Sequence, residues 1–159
     1  EAEIAYVFGA DLAPRAAPYN EDEVLRSVRT MCIAIEVCDS RLAEWQTGDD
    51  LTKLGDHQLN YALVTGDSTT DFRGIDFRRH PVRTLIDGKM LKEGIGCHAL
   101  DDPSHLLPWL VNHAAARGGV RSGTVVTTGS WLGMHFVAPD SEVTVEFAGI
   151  GRATVSFPK

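Results

Sequence analysis

The sequence predicts a single strand-rich α+β domain with two covering helices. Extended runs of apolar or alternating residues recur along the whole chain, whereas only two segments place apolar residues at the three- and four-residue spacing of an amphipathic helix. Strands and helices do not alternate regularly, which argues against a doubly wound α/β fold. The 159 residues suffice for one domain, spanning 1–159, with a hydrophobic core.

The first third of the chain predicts a strand, a helix and a second strand. Residues 1–9 alternate as a strand and end at a glycine. Asn20 and Glu23 have the spacing of a capping box and predict the start of a helix. The second strand, residues 32–39, is almost continuously apolar, as expected when both faces of a strand are covered. The predicted apolar stripe of the helix is Val24, Leu25, Val28 and Met31.

A polar segment, residues 41–55, follows and is predicted to be an exposed loop that could fold over a site. Residues 62–65 predict a further strand. Asp87 and Gly88, a dipeptide favoured in two-residue turns, predict a hairpin between residues 83–86 and 89–94.

The last third of the chain predicts a second helix and then three strands. Pro103 marks the approach to the helix, and Gly118 and Gly119 mark its end. The predicted helical stripe is Leu107, Leu110, Val111 and Ala114. The predicted strands are residues 124–128, 143–147 and 152–157.

Composition and charge narrow the classes of partner. The formal net charge is −7 at pH 7, and no basic stripe with interleaved aromatic residues is present, so a nucleic-acid surface is not expected. No apolar run reaches transmembrane length and no signal peptide is recognisable, so we expect a cytoplasmic protein without membrane contact. An anionic substrate would need a local positive centre, which a bound metal ion could supply.

The three cysteines also favour a reducing compartment. Cys32, Cys38 and Cys97 are odd in number and form no C-x-x-C motif, which disfavours a disulfide framework. Cys32 and Cys38 lie within an apolar strand and are interpreted as small core residues rather than as metal ligands.

Three glutamates in strand-like segments are the main candidates for chemistry. Glu1 and Glu3 lie on one face of the first strand because side chains alternate with period two. Glu36 lies between apolar residues of the second strand, where an unpaired carboxylate is costly to desolvate. Three carboxylates suit Mg²⁺ or Mn²⁺. The alternative is that Glu1 and Glu3 are solvated while Glu36 pairs with Arg41.

Five motifs in order resemble the fumarylacetoacetate hydrolase superfamily, and most closely its branch of 2-keto-4-pentenoate hydratases and 4-oxalocrotonate decarboxylases. They are E-A-E-I-A-Y-V-F-G, A-I-E-V-C-D-S-R, G-D-H-Q-L-N-Y-A-L-V-T-G, N-H-A-A-A-R-G and S-G-T-V-V-T-T-G-S. The resemblance implies a mixed β-sheet roll with flanking helices, and Mg²⁺ or Mn²⁺ bound by Glu1, Glu3 and Glu36. It also implies 2-oxo acid substrates, whose enolate a Lewis-acidic metal stabilises.

The T-T-G-S segment, residues 127–130, matches a turn that family members place beside the substrate carboxylate. The resemblance implies that the backbone N–H groups around Gly129 and the hydroxyl of Ser130 bind this anion. The alternative is an ordinary turn at the end of a strand.

The segment G-D-H-Q-L-N-Y departs from the A-D-N-x-S-S-G pattern typical of the hydratases. Asp56 is retained, while His57, Leu59 and Tyr61 replace an asparagine, a serine and the glycine. Asp56 or His57 is therefore the candidate for handling a proton or a water molecule. His57 leaves room for an acylpyruvate-type C–C hydrolase, in which a histidine activates water, although it could also be structural.

Family hydratases carry an active-site lysine in a segment before the Glu-x-Glu strand, and this sequence shows no such segment. Lys53 is the nearest substitute, although it could be an ordinary surface lysine. We therefore expect a metal-dependent lyase or hydratase acting on 2-oxo acids in aromatic-compound breakdown. The alternatives are a C–C hydrolase on the same metal, or a truncated non-catalytic partner subunit. A homo-oligomer is expected to cover exposed strand edges, and a second chain could supply the missing part.

Overall fold

Two four-stranded antiparallel sheets frame the structure, a computed structural model that describes residues 1–159. The first sheet has the strand order β3-β2-β1-β6, and the second has the order β5-β4-β7-β8. The strands are β1 (Ala2–Phe8), β2 (Val28–Cys38), β3 (Asn60–Thr69), β4 (Pro81–Ile86), β5 (Lys89–Ile95), β6 (Val125–Thr127), β7 (Ser141–Phe147) and β8 (Gly151–Phe157).

The strand-rich α+β class predicted from the sequence is confirmed, with one difference in strand direction. Every strand pair is antiparallel, so the sheets are not mixed within this chain. The hairpin predicted at Asp87 and Gly88 is present between β4 and β5. Both turn residues have positive φ, 50° and 72°, as a two-residue hairpin turn of this kind requires.

The two faces of the first sheet have different roles. On the inner face, Ile4, Tyr6 and Ile33 are fully buried in a core of 22 residues that both sheets share. On the outer face, Ala5, Cys32 and Ala34 form a separate small cluster. The residues of β2 on both faces of the sheet are buried from Met31 to Ile35, which explains why the sequence of this strand is almost continuously apolar. Glu1, Glu3 and Glu36 lie at alternating positions on this outer face.

The three α-helices are α1 (Glu21–Ser27), α2 (Asp50–Gly55) and α3 (Leu106–Ala115). The predicted capping box of α1 is confirmed, since the Asn20 side chain accepts from the Glu23 backbone and the Glu23 side chain accepts from the Asn20 backbone. The predicted extent of α1 is wrong, because Val28 and Met31 belong to β2. Their pairing with Phe8 and Tyr6 of β1 overrides the helical spacing.

The segment predicted as an exposed loop, residues 41–55, contains α2. Asp49 caps this helix by accepting hydrogen bonds from the backbone N–H groups of Leu51 and Thr52. No residue of α2 is buried, so the helix has no apolar stripe from which it could have been predicted. None of the helices combines the length and the apolar character needed to span a membrane.

Gly66 lies where β3 passes closest to β8. An added Cβ there would lie 2.2 Å from the backbone oxygen of Arg152 and 2.5 Å from the Cα of Ala153. We expect Gly66→Ala to lower the free energy of unfolding by about 1–3 kcal/mol, because one of the strands must shift. Gly55→Ala is the control, since nothing lies within 4 Å of its added Cβ. Equal urea midpoints for the two variants would contradict this account.

Candidate metal centre

Glu1 and Glu36 face each other across the antiparallel ladder of β1 and β2. The main-chain nitrogen of Glu1, the N-terminal ammonium group, donates to the backbone oxygen of Glu36 at 2.8 Å, and the backbone N–H of Glu36 donates to the backbone oxygen of Glu1 at 3.1 Å. Residues that exchange both hydrogen bonds present their side chains on the same face of a sheet. The backbone therefore holds the two carboxylates side by side.

Cys38 completes a cluster with these two glutamates. The ligand atoms of Glu1, Glu36 and Cys38 all lie within 4.8 Å of one another, and all three residues are partly buried. Burial raises the pKa of the Cys38 thiol to about 11, and the Glu1 carboxylate adds to the shift. The sequence interpretation as a core residue missed this neighbourhood. The sequence contained a signal for it, because Cys38 follows Glu36 by two positions and residues at this spacing lie on the same face of a strand.

Glu3 is a buried carboxyl group without a cationic partner. Its residue is 1% exposed, and no ion pair of the structure involves it. The Gly129 N–H donates to its Oε2 at 3.1 Å, and the Thr127 hydroxyl donates to the same atom. Burial raises the pKa of Glu3 to about 7, with further contributions from Glu36 and Glu1, while the Gly129 hydrogen bond opposes the rise.

The carboxylate of Glu36 is held by an amide rather than by a guanidinium. The Asn60 Nδ2 donates to Glu36 Oε1 at 2.7 Å. Arg41, the alternative partner considered from sequence, instead pairs with Asp56, with 2.6 Å between Nε and Oδ1. The pairing of Glu36 with Arg41 is therefore wrong. Asn60 was not predicted as a site residue.

Asp56 anchors the polar segment that precedes it. Its Oδ2 accepts from the Ser40 hydroxyl at 2.6 Å and from the Arg41 N–H at 3.2 Å. These contacts lower the pKa of Asp56, and the hydrogen bond from Ser40 has the largest effect. The carboxylate is buried and is not part of the cluster of Glu1, Glu36 and Cys38. Its predicted catalytic role stays a prediction.

His57 lies in an exposed turn with an unusual backbone. His57, Gln58 and Leu59 have φ values of 57°, 51° and 74°, a left-handed conformation that is unfavourable for residues with a Cβ. This turn leads directly into Asn60, the residue that holds Glu36. The His57 side chain is exposed and makes no hydrogen bond. The Lys53 ammonium donates to the Gln46 oxygen at 3.3 Å and is not part of the cluster.

The T-T-G-S turn is bonded directly to β1. The Thr128 hydroxyl donates to the oxygen of Ile4 at 2.9 Å, next to the contact between Gly129 and Glu3. The Ser130 hydroxyl accepts from the Gly133 N–H at 2.9 Å. The structure thus brings this turn to Glu3. Binding of a substrate carboxylate by Gly129 and Ser130 stays a prediction.

A pocket of about 590 Å³ opens beside the acidic cluster. Glu1, Glu36 and Cys38 line one part of it, and residues from strands of both sheets line the rest. The irregular segment 134–137 contributes a further wall, and the Nε2 atom of His135 is buried without a hydrogen-bond partner. Ala2, Ile35 and Val64 of the pocket wall belong to the inner face of the first sheet, so the apolar part of the pocket extends between the two sheets.

Known proteins with similar sequences are enzymes. The chain is 28% identical over 158 residues to a 4-oxalocrotonate decarboxylase of Pseudomonas putida. It is also 28% identical over 158 residues to a 2-keto-4-pentenoate hydratase of Paraburkholderia phymatum. Each alignment covers 99% of this chain and 59% of the relative, so the chain spans about three fifths of the length of these relatives.

Two solved structures of a similar enzyme contain divalent metals. A 4-oxalocrotonate decarboxylase from Pseudomonas putida G7, complexed with magnesium and adipate, matches with a TM-score of 0.81 at 26% identity. A complex of that enzyme with calcium and acetate matches with a TM-score of 0.79 at 27% identity. The matches cover 99% of this chain and 59% and 58% of the solved chains.

A family model described as fumarylacetoacetate hydrolase C-terminal matches residues 1–157. This match agrees with the two antiparallel sheets and with the order of the motifs along the chain. Because it spans nearly all of the sequence, the chain belongs to the fumarylacetoacetate hydrolase family.

Proposed function

We propose that this chain is the metal-binding domain of a lyase or hydratase that acts on 2-oxo acids, similar to 2-keto-4-pentenoate hydratase, in aromatic-compound breakdown. Glu1, Glu3 and Glu36 would hold Mg²⁺ or Mn²⁺. The observation that carries the proposal is the buried Glu3 carboxyl, which lacks a cation and lies close enough to the Glu1 and Glu36 carboxylates for both to raise its pKa.

The donor set fits a hard divalent cation. Carboxylate oxygens are the protein ligands that Mg²⁺ and Mn²⁺ prefer. A bound cation would also reduce the repulsion among three neighbouring carboxylates, none of which forms an ion pair with a Lys, Arg or His side chain. The magnesium and calcium complexes of the similar decarboxylase support a divalent metal.

The residues around the ion would orient the substrate and handle protons. When bound, the metal would act as a Lewis acid towards the 2-oxo group and stabilise negative charge on it. The Ser130 hydroxyl accepts from Gly133 and keeps its own proton, which it can donate to a substrate carboxylate. Gly129 instead fixes Glu3, because its N–H is already engaged there.

Asp56 and His57 differ in their freedom to react. The two hydrogen bonds and the ion pair of the Asp56 carboxylate suit an anchor for the segment from Ser40 to Asp56. His57 has an exposed side chain without a partner, so it is the better candidate for moving a proton or positioning a water molecule.

This histidine also favours a second candidate function, an acylpyruvate-type C–C hydrolase on the same metal site. Product analysis with a vinylpyruvate and an acylpyruvate would separate hydration from hydrolytic cleavage.

Calorimetric titration of the intact protein tests the metal site. Oxalate mimics the chelating end of a 2-oxo acid, so we expect Mn²⁺ to bind first and oxalate to bind only to the metal-loaded protein. If the folded protein binds no divalent metal, the enzymatic proposal fails. That outcome would support a non-catalytic partner subunit that keeps the fold.

A further inference from the structure

His98 connects the loop after β5 to the T-T-G-S turn. The residue is 6% exposed, although it lies outside every helix and strand. Its Nε2 atom lies 2.9 Å from the backbone oxygen of Thr128, and its Nδ1 atom accepts from the Leu100 N–H at 3.2 Å. An N–H that points at Nδ1 requires this atom to be unprotonated, so Nε2 carries the proton and donates to Thr128. Both ring nitrogens therefore have fixed partners.

The oxygen that accepts from His98 and the N–H that holds Glu3 belong to one peptide unit. The Thr128 oxygen and the Gly129 N–H lie on opposite sides of the same planar, trans peptide bond. His98 donates to the oxygen, while the N–H donates to Glu3 Oε2 at 3.1 Å. A continuous chain of hydrogen bonds thus runs from the His98 ring to the Glu3 carboxyl group.

We propose that His98 is a positioning residue, which locks the orientation of the Thr128–Gly129 peptide and thereby holds the Glu3 carboxylate in place. The inference rests on the proposed function only in that Glu3 would bind a metal ion. His98 forms no hydrogen bond with Glu3 itself, so its effect on the site passes through the peptide.

This peptide needs a lock because glycine leaves it free to rotate. Gly129 has a φ of 104°, and a residue without a Cβ adopts positive and negative φ at little cost. Rotation of the peptide would turn the N–H away from Glu3 and leave a buried carboxyl group with one donor fewer. Hydrogen bonds in series also polarise one another, so donation by His98 should strengthen the hydrogen bond from Gly129 to Glu3.

Amide hydrogen exchange of the metal-free protein tests the inference. His98→Asn keeps a polar group near Leu100 but is too short to reach Thr128, so we expect exchange of the Gly129 N–H to become about tenfold faster. His98→Gln extends an N–H towards the position of Nε2 and should restore the protection of Gly129 to near the wild-type level. The Arg152 N–H, which also donates to a carboxylate at 3.0 Å, is the internal control and should exchange at the same rate in all three proteins.

The affinity for Mn²⁺ gives a second readout. Loss of a group that orients a ligand typically weakens metal binding by about 10–100-fold. His98→Asn should therefore bind Mn²⁺ about tenfold more weakly than wild type, whereas His98→Gln should bind it about as tightly. His113→Phe is the matched control, because His113 is exposed on α3 and its ring stacks on Trp109. This variant should leave both the exchange of Gly129 and the affinity for Mn²⁺ unchanged.

The outcomes separate this inference from the proposed function. Unchanged exchange of Gly129 in His98→Asn would overturn the inference, and so would faster exchange that His98→Gln does not restore. If wild type and His98→Asn bind Mn²⁺ equally well, the peptide does not hold Glu3 and the inference also fails. If the exchange results are as expected but wild type binds no Mn²⁺, the proposed function fails and the positioning role stands.

A measurement on wild type decides the inference even if the His98 variants do not fold. The NMR chemical shifts of the ring nitrogens report which of them carries the proton. We expect a proton on Nε2 and none on Nδ1, as the contacts with Thr128 and Leu100 require. A ring protonated only at Nδ1 could not donate to Thr128 and would overturn the inference.

Discussion

Replacing Glu36 by glutamine is expected to weaken the binding of Mn²⁺ by about 100-fold or more. The substitution keeps the shape of the side chain but removes one negative charge and a strong oxygen ligand from the centre of the cluster. Asn60→Ala should weaken binding about 10-fold, because a residue that orients a ligand contributes less than the ligand itself. Calorimetry, or the electron paramagnetic resonance signal of free Mn²⁺, measures both effects.

Glu142→Gln is the matched control for Glu36→Gln. Glu142 lies on β7 with an exposed side chain and takes no part in the cluster, so its substitution should leave Mn²⁺ affinity unchanged. Similar affinities for wild type and Glu36→Gln would show that Glu36 is not a ligand. A graded series, with Asn60→Ala between the control and Glu36→Gln, would support the arrangement in which Asn60 holds Glu36.

The stability of the metal-free protein is expected to depend on the protonation of Glu3. The pKa of Glu3 in the folded protein, about 7, lies above the usual glutamate value of 4.5, so the folded protein binds a proton at Glu3 more tightly than the unfolded chain does. The contribution of protonated Glu3 is fully present below about pH 4.5 and is lost as pH rises through about 7. A shift of this size corresponds to a difference of about 3 kcal/mol.

Glu3→Gln isolates this effect. Glutamine cannot ionise, so the variant should unfold at a higher urea concentration than wild type at about pH 8 and at a similar concentration at about pH 5. His80 and His135, whose burial lowers their pKa values, act in the opposite direction but are present in both proteins and cancel in the difference. A difference between the two proteins that is the same at both pH values would refute the assignment. Saturating Mn²⁺ should restore the stability of wild type at the higher pH.

The local features of the fold were predictable from sequence because they depend on neighbouring residues. The capping box of Asn20 and Glu23 and the hairpin at Asp87 and Gly88 are of this kind. Val28 and Met31 were assigned to the wrong element because their three-residue spacing also fits a helix. Their actual conformation depends on pairing with β1, which the local sequence does not contain. The exposed helix α2 had no apolar stripe to indicate it.

The candidate site shows the same division between local and long-range information. The alternation of strand residues correctly placed Glu1 and Glu3 on one face, and the apolar context of Glu36 indicated a carboxyl group in need of a partner. The contribution of Asn60 depends on the register between β2 and β3, which is shifted by an irregularity between Val37 and Cys38. The proximity of Cys38 to Glu1 likewise depends on cross-strand pairing.

The reciprocal backbone hydrogen bonds between Glu1 and Glu36 have a consequence for how the site would evolve. Because the main-chain ladder, rather than a flexible loop, sets the separation of these carboxylates, little conformational entropy would be lost when they chelate an ion. The surrounding turns could then vary in length and composition without lowering the affinity of the site for a metal ion. A fold of this kind could change its substrate specificity while keeping the same metal-binding residues.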